Sequence, residues 1–119
     1  MEKVYYLQNK GKDILYIDYS NMKADEIIGV MKQVRDKFAS KPKESVLTLT
    51  NFEGTRFNSD VLNHFKQLSL DTKEHVKAGA VIGIAGLQKV AYDVVTKFSK
   101  SELPLFGSRE EAMDWLVTQ

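Results

Sequence analysis

The sequence predicts an α/β domain built on a five-stranded mixed sheet, in which the first strand is antiparallel, the other four are parallel, and four helices accompany them. Short runs rich in β-branched and aromatic residues alternate along the chain with segments whose apolar residues recur at helical spacing. From the second run onward, one helical segment separates each strand from the next, and right-handed crossovers make such strands parallel. We expect one domain over residues 1–119, since 119 residues is an ordinary domain length.

The first half of the chain predicts a hairpin, a helix and a strand. Val4–Gln8 and Ile14–Tyr19 are the hairpin strands, and Asn9–Lys12 between them is a turn that contains glycine. A helix follows and ends before Pro42, and Val46–Thr50 then alternates strictly, as a strand does. The apolar residues on the helix face are Ile27, Val30, Met31, Val34 and Phe38.

A second helix follows an irregular stretch that ends at Asp60. Gly79 is expected just after the end of this helix. Ala80–Ala85 is apolar on both faces, which is typical of a strand in the middle of a parallel sheet. The apolar face predicted for this second helix consists of Val61, Phe65, Leu68, Thr72 and Val76.

The last part of the chain predicts a helix, an edge strand and a final helix. The first of these begins at Gly86, and Leu103–Phe106 is an edge strand because its proline cannot donate to the ladder. Ser108–Glu111 is a capping box that opens the final helix. The helix from Gly86 is expected to bury Leu87, Val90, Ala91, Val94, Val95 and Phe98, and the final helix Ala112, Trp115 and Leu116.

Composition excludes several functional classes. The absence of cysteine excludes disulfides, zinc–thiolate sites and cysteine nucleophiles, and the net charge of +1 gives no general attraction to nucleic acid or to an anionic membrane. No apolar run approaches the roughly 20 residues of a membrane span, and the N-terminus lacks the apolar region of a signal peptide, so we expect a cytoplasmic protein. The turn Gly83–Leu87 lacks both the dinucleotide fingerprint and the P-loop, and we expect no cofactor and no metal.

The candidate site lies at the carboxyl ends of the parallel strands, where ligands of such sheets bind. The stretch 51–57 is longer than a crossover needs, and its Arg56 lies beside the start of a helix, where a phosphate, a carboxylate or an acidic partner is favoured. In the alternative interpretation, Phe52 and Phe57 pack into the core and Arg56 is solvated. The candidate binding residues are Ser20, Asn21, Asn51, Gly54, Thr55, Arg56, Phe57, Asn58, Ser59 and Gly86.

The order of elements resembles the STAS domain, in particular the small bacterial anti-sigma-factor-antagonist-like proteins labelled STAS/SEC14 domain-containing. The stretches 46–61 and 85–112 carry the resemblance. In regulatory members of that family, an Asp-Ser-Ser-Gly or Asp-Ser-Thr-Gly motif at a helix start is phosphorylated on a hydroxyl, which switches partner binding. The matching segment here, Asn58–Val61, has Asn for Asp, Asp60 in the acceptor position and Val for Gly. Ser59 keeps a hydroxyl, and it is the candidate phosphorylation site.

Two functions follow as expectations. The first is a non-catalytic STAS-like module that binds an unidentified partner protein through this loop, with a homodimer among the options, because no catalytic set is recognisable in the sequence. The second is the binding of a small apolar or anionic ligand at the same place, which the similarity to lipid-carrying domains of related topology implies. That ligand would contact Tyr19, Phe52 and Phe57, with Arg56 as the polar anchor.

Overall fold

A computed structural model describes residues 2–119 and shows the predicted mixed sheet. Strand order follows chain order, with β1 antiparallel to β2 and every later neighbouring pair parallel. The predicted fold class is therefore confirmed. The elements are β1 (Val4–Asn9), β2 (Lys12–Asp18), α1 (Ala24–Phe38), β3 (Val46–Asn51), α2 (Ser59–Thr72), a 3-10 turn (Lys73–His75), β4 (Val76–Ile82), α3 (Gln88–Ser99), β5 (Leu105–Phe106) and α4 (Arg109–Leu116).

The two faces of the sheet are covered by different helices. Leu15 and Ile17 of the sheet form one buried cluster with α1 and α2, against which Val95 of α3 also packs. Leu47 and Leu49 form the second cluster with α4. A sheet that advances in one direction through right-handed crossovers places its connecting helices on one face, which accounts for α1, α2 and α3 lying together.

The second helix is shorter than the sequence predicts. It ends at Thr72, and Val76, which was expected on its apolar face, is the first residue of β4. Gly79 lies within β4 and not after a helix, and β4 ends at Ile82 instead of continuing to Ala85. Val76 packs against the α1–α2 cluster from the strand, so its burial is correct although its secondary structure is not.

The third helix begins two residues after Gly86 and turns a different face inward from the predicted one. Ala91 is buried and Val95 partly buried, whereas four apolar residues expected in the core are exposed. The last strand is also shorter than predicted, and Pro104 precedes it and accepts a hydrogen bond from Val81 N. The exposed residues of the predicted helix face are Leu87, Val90, Val94 and Phe98.

Within residues 2–119, the helices are all too short or too polar to cross a lipid bilayer.

Candidate functional site

The carboxyl ends of β2, β3 and β4 meet at one edge of the sheet, here called the rim, and the rim is held by main-chain hydrogen bonds. Tyr19 N donates to Asn51 O at 2.9 Å, and Phe52 N donates to Ile82 O at 3.0 Å. Asn21 N donates to Glu53 O at 2.8 Å, so the residues after β2 are bound directly to the segment after β3. The segment 51–58, here called the rim loop, is thus fixed on both sides by its neighbours.

Glycines let the rim segments approach one another closely. Gly83 has φ +83°, and a Cβ placed there would lie 2.4 Å from Glu53 N and 2.9 Å from Asn51 Oδ1. Gly54 has φ +68°, and a Cβ on it would lie 2.1 Å from Asn21 Oδ1. Both positions have a left-handed backbone, which favours glycine. At Gly83 the close contact is with main-chain atoms that cannot easily move, whereas the atom nearest Gly54 is the end of the Asn21 side chain.

Gln88 joins the rim loop to the first turn of α3. Its Nε2 donates to Phe52 O at 2.8 Å and to Thr55 O at 2.7 Å, and its Oε1 accepts from Ala85 N at 3.0 Å. Gln88 is not among the candidate residues that the sequence indicates, because a side chain that binds main-chain carbonyls leaves no sequence motif. Thr55 is buried, and its hydroxyl donates to Tyr19 O at 2.7 Å, so this candidate residue fixes the loop and offers no free group.

Replacing Gln88 with alanine is expected to loosen the rim loop and to destabilise the domain by about 2 kcal/mol, since each of its hydrogen bonds contributes roughly 0.5–1.5 kcal/mol. Hydrogen exchange of residues 51–58 should accelerate, and urea denaturation measures the loss of stability. Gln33→Ala is the control, because Gln33 is an exposed residue of α1. Equal exchange in the two variants would contradict the role of Gln88.

The aromatic residues of the rim loop lie beneath it. Phe52 stacks on Tyr19 with ring centroids 5.4 Å apart, and Phe57 packs 5.5 Å from Phe52 and 5.6 Å from Phe65. Arg56 is exposed and makes no hydrogen bond or ion pair with residues 2–119. This arrangement agrees with the alternative interpretation, in which the phenylalanines pack inward and Arg56 is solvated. The rings of Tyr19, Phe52 and Phe57 therefore do not form one surface site with Arg56.

The remaining candidate residues take ordinary positions at the rim. Asn58 is the N-cap of α2, and its Oδ1 accepts from Val61 N at 2.8 Å. Ser59 is the exposed first residue of that helix. Ser20 N donates to Asp18 Oδ1 at 2.9 Å, and Gly86 is exposed with φ +56°.

A hollow of about 570 Å³ lies on the α4 side of the rim, at the ends of β3, β4 and β5. Asn51 Nδ2 donates to Tyr16 Oη at 3.0 Å, and the Arg109 guanidinium lies 4.7 Å from the centroid of the Tyr16 ring. Burial raises the pKa of the Tyr16 phenol further above neutrality. These polar groups are already engaged with one another. Among residues 2–119, no cluster of three His, Asp or Glu side chains could hold a metal ion.

Comparison with known proteins identifies the fold. No protein-family description matches the chain, and no curated protein does so either. A crystal structure of an uncharacterised DUF3478-family protein from Shewanella loihica PV-4, which has a SpoIIAA-like fold, superimposes with a TM-score of 0.75 at 17% sequence identity. The match covers 95% of this chain and 91% of that one. The chain therefore has the SpoIIAA-like, or STAS, fold that its element order resembled.

Proposed function

We propose that this SpoIIAA-like domain is a non-catalytic regulatory module that binds an acidic segment of a partner protein at the rim. The observation that carries the proposal is Arg56, whose guanidinium is exposed and has no partner within residues 2–119. A guanidinium offers paired donors that match a carboxylate or a phosphate, and such charge-assisted bonds are about twice as strong as neutral ones.

The backbone around Arg56 supports the proposal because it is already ordered. Gln88 binds the carbonyls of Phe52 and Thr55, and Thr55 Oγ1 binds Tyr19 O. A loop that is fixed before binding loses little conformational freedom when a partner docks, so more of the interaction energy appears as affinity.

The topology favours a partner that lies on the rim over a small ligand held within it. Open α/β sheets hold ligands in the crevice at a topological switch point, where successive helices diverge to opposite faces. The strand order β1-β2-β3-β4-β5 contains no such point in the described chain. A protein surface needs no crevice, since shape complementarity and a few anchoring residues suffice.

Ser59 is the residue we propose for regulation by phosphorylation. It is exposed at the first position of α2, next to the Asn58 cap. A phosphate there would lie at the positive end of the helix dipole and close in sequence to Arg56, and it would compete with the partner's acidic groups for that guanidinium. We expect all of this to take place in the cytoplasm, as the sequence suggests.

Arg56→Glu is expected to lower the recovery of partner proteins from a lysate of the native host at least tenfold. The substitution places a carboxylate where the partner's acidic group binds, so an attraction becomes a repulsion. Tagged wild type and variant are compared by quantitative mass spectrometry of the captured proteins. Light scattering of the purified proteins tests the case in which the partner is a second copy of the chain.

Lys37→Glu is the control with the same change of charge. Lys37 is exposed in the last turn of α1, and because α1 runs back from the rim, this residue lies at the opposite end of the sheet. Partners that bind through the rim are retained by this variant and lost by Arg56→Glu. The proposed function would be refuted if the wild type and both variants captured the same proteins. It would also be refuted if the wild type captured no protein and showed no self-association by light scattering.

A further inference from the structure

The two edges of the sheet differ in how they are protected against pairing with another strand. Edge strands are commonly shortened, charged, bulged or interrupted by proline, because their free main-chain groups would otherwise bind a further strand. β5 has this protection, since it is two residues long and follows Pro104. β1 lacks it, because Val4–Asn9 contains no charged residue and no proline and pairs with β2 without a bulge.

Alternate residues of β1 direct their main-chain groups away from the sheet. Asp18 N donates to Lys3 O at 2.8 Å, so Lys3 is a hydrogen-bonded residue of the antiparallel pair. Bonded and outward-facing residues alternate along such a strand, and Tyr5 and Leu7 are therefore also bonded to β2. No strand within residues 2–119 lies beyond the residues between them. The outward-facing residues are Val4, Tyr6 and Gln8.

Burial determines which part of this edge a second strand can reach. Tyr6 is 39% exposed and Gln8 is also exposed, whereas Val4 is only 1% exposed and its outward groups are covered. The Tyr6 ring does not cover the edge, because side chains stand perpendicular to a sheet. This ring lies on the α1 side, where Lys41 Nζ is 5.2 Å from its centroid. The accessible part of the edge therefore runs from Tyr6 to Gln8.

The accessible part of the edge is complementary to itself. In an antiparallel pair centred on Leu7, Tyr6 of each copy lies opposite Gln8 of the other, and each such pair exchanges two main-chain hydrogen bonds. This register requires nothing of the covered Val4. Leu7 meets Leu7 of the other copy on the α4 side of the sheet, where it already packs against the second buried cluster. Like charges do not meet within the pair, because β1 contains no charged residue.

We propose that the chain forms a symmetric dimer in which two β1 strands pair antiparallel about Leu7 and join the two sheets into one. A second copy fits this edge because it presents the same uncharged segment with the same accessible length. Each exposed main-chain donor of one strand then meets an acceptor of the other. The rim stays free, since Arg56 follows β3, two strands away from this edge, and the proposal does not depend on partner binding there.

Tyr6→Pro tests the pairing, because proline is tolerated where the N–H of an edge strand faces solvent but cannot donate to a second strand. Sedimentation equilibrium over a range of concentrations should show a wild-type dimer. The substitution should raise its dissociation constant about tenfold, since two main-chain hydrogen bonds are lost. Tyr6→Val is the matched control, because it also removes the ring but keeps the N–H, and it should raise the dissociation constant less than about threefold. Circular dichroism checks that both variants are folded.

Amide hydrogen exchange of the wild type gives a second readout that needs no substitution. The N–H groups of Tyr6 and Gln8 should exchange slowly at high concentration, where the dimer is populated, and rapidly after dilution. The N–H groups of Tyr5 and Leu7, which bind β2, should exchange slowly at both concentrations and serve as the internal reference.

A wild type that stays monomeric at every concentration would overturn the proposal. A dimer that Tyr6→Pro leaves intact, or in which the Tyr6 N–H stays unprotected, would do the same. Val90 lies on α3 and is 62% exposed, so loss of the dimer in Val90→Ser would place the interface on that helix and would also overturn it. Arg56→Glu should retain the dimer even though it loses partners at the rim, and this result separates the two proposals. A dimer lost in Arg56→Glu would place the interface at the rim and would contradict pairing through β1.

Discussion

Replacing Gly83 with alanine is expected to destabilise the domain by about 3 kcal/mol. Two penalties combine at this position. Its φ of +83° costs an L-residue roughly 1–2 kcal/mol. The new Cβ would also lie 2.4 Å from Glu53 N, a main-chain atom that cannot move without breaking the contacts of the rim loop, and such overpacking costs roughly 1–3 kcal/mol.

Gly86→Ala separates the two penalties. Gly86 has φ +56°, but no atom lies within 4 Å of the Cβ that alanine would add. We therefore expect a loss of only about 1 kcal/mol, from the backbone alone. Urea denaturation of the two variants measures the difference, and equal losses would show that the contact between Gly83 and the rim loop carries no energy.

Leu116→Ala is expected to cost a similar amount, about 3 kcal/mol, on the other side of the sheet. Leu116 and Ala112 of α4 are fully buried, and they pack with Leu49 and Ile82. No other helix within residues 2–119 contributes to this cluster, so little nearby can move to fill the space that leucine leaves. Leucine-to-alanine substitutions in such cores cost roughly 2–5 kcal/mol, a large part of the total stability of a small domain.

Leu70→Ala provides the comparison for this prediction. Leu70 lies on α2 and is 43% exposed, so the same truncation removes much less buried surface. We expect a loss below about 1 kcal/mol, measured by the shift of the urea midpoint. Equal losses in the two variants would mean that the burial of Leu116 between α4 and the sheet does not account for the effect of its truncation.

The sequence was most informative where one local pattern determines one element. Strict alternation predicted β3 to within one residue. The N-cap expected at Ser108 is present, with Glu111 N donating to Ser108 Oγ at 3.2 Å, and the helix that it opens buries Ala112 and Leu116 as expected. The full capping box is not formed, because the Glu111 carboxylate accepts from the Ser108 hydroxyl and not from its main-chain N–H. In both cases the signal lies within a few consecutive residues and needs no tertiary information.

The prediction failed where two periodicities overlap. Val76 follows Thr72 by about one helical turn, so in the sequence it continues the apolar face of α2. In the structure, a 3-10 turn at 73–75 ends the helix before Val76 is reached. That turn contains neither glycine nor proline, the residues that most often mark the end of a helix in a sequence. On α3, apolar residues occupy two adjacent stripes, and periodicity alone cannot determine which stripe faces the sheet.

The candidate site was predictable in place but not in detail. The order of elements indicates that residues 51–58 lie at the rim, and helix-capping rules identify Asn58. The roles of Gln88 and Gly83 depend on main-chain atoms of a segment some 30 residues away in sequence, about the length of one strand–helix–strand unit. No local pattern encodes such a contact, since any residue type supplies the carbonyl or amide that they meet.

The strand order has a further consequence for how the chain reaches this structure. Because each strand pairs only with its neighbours in sequence, a growing sheet can add one strand and one helix at a time, starting from the β1–β2 hairpin. Each addition closes a loop of one helical crossover, and the entropy of loop closure rises only slowly at such lengths. Contacts between distant parts of the chain are not required before nearer ones form, and this favours rapid folding for a parallel sheet.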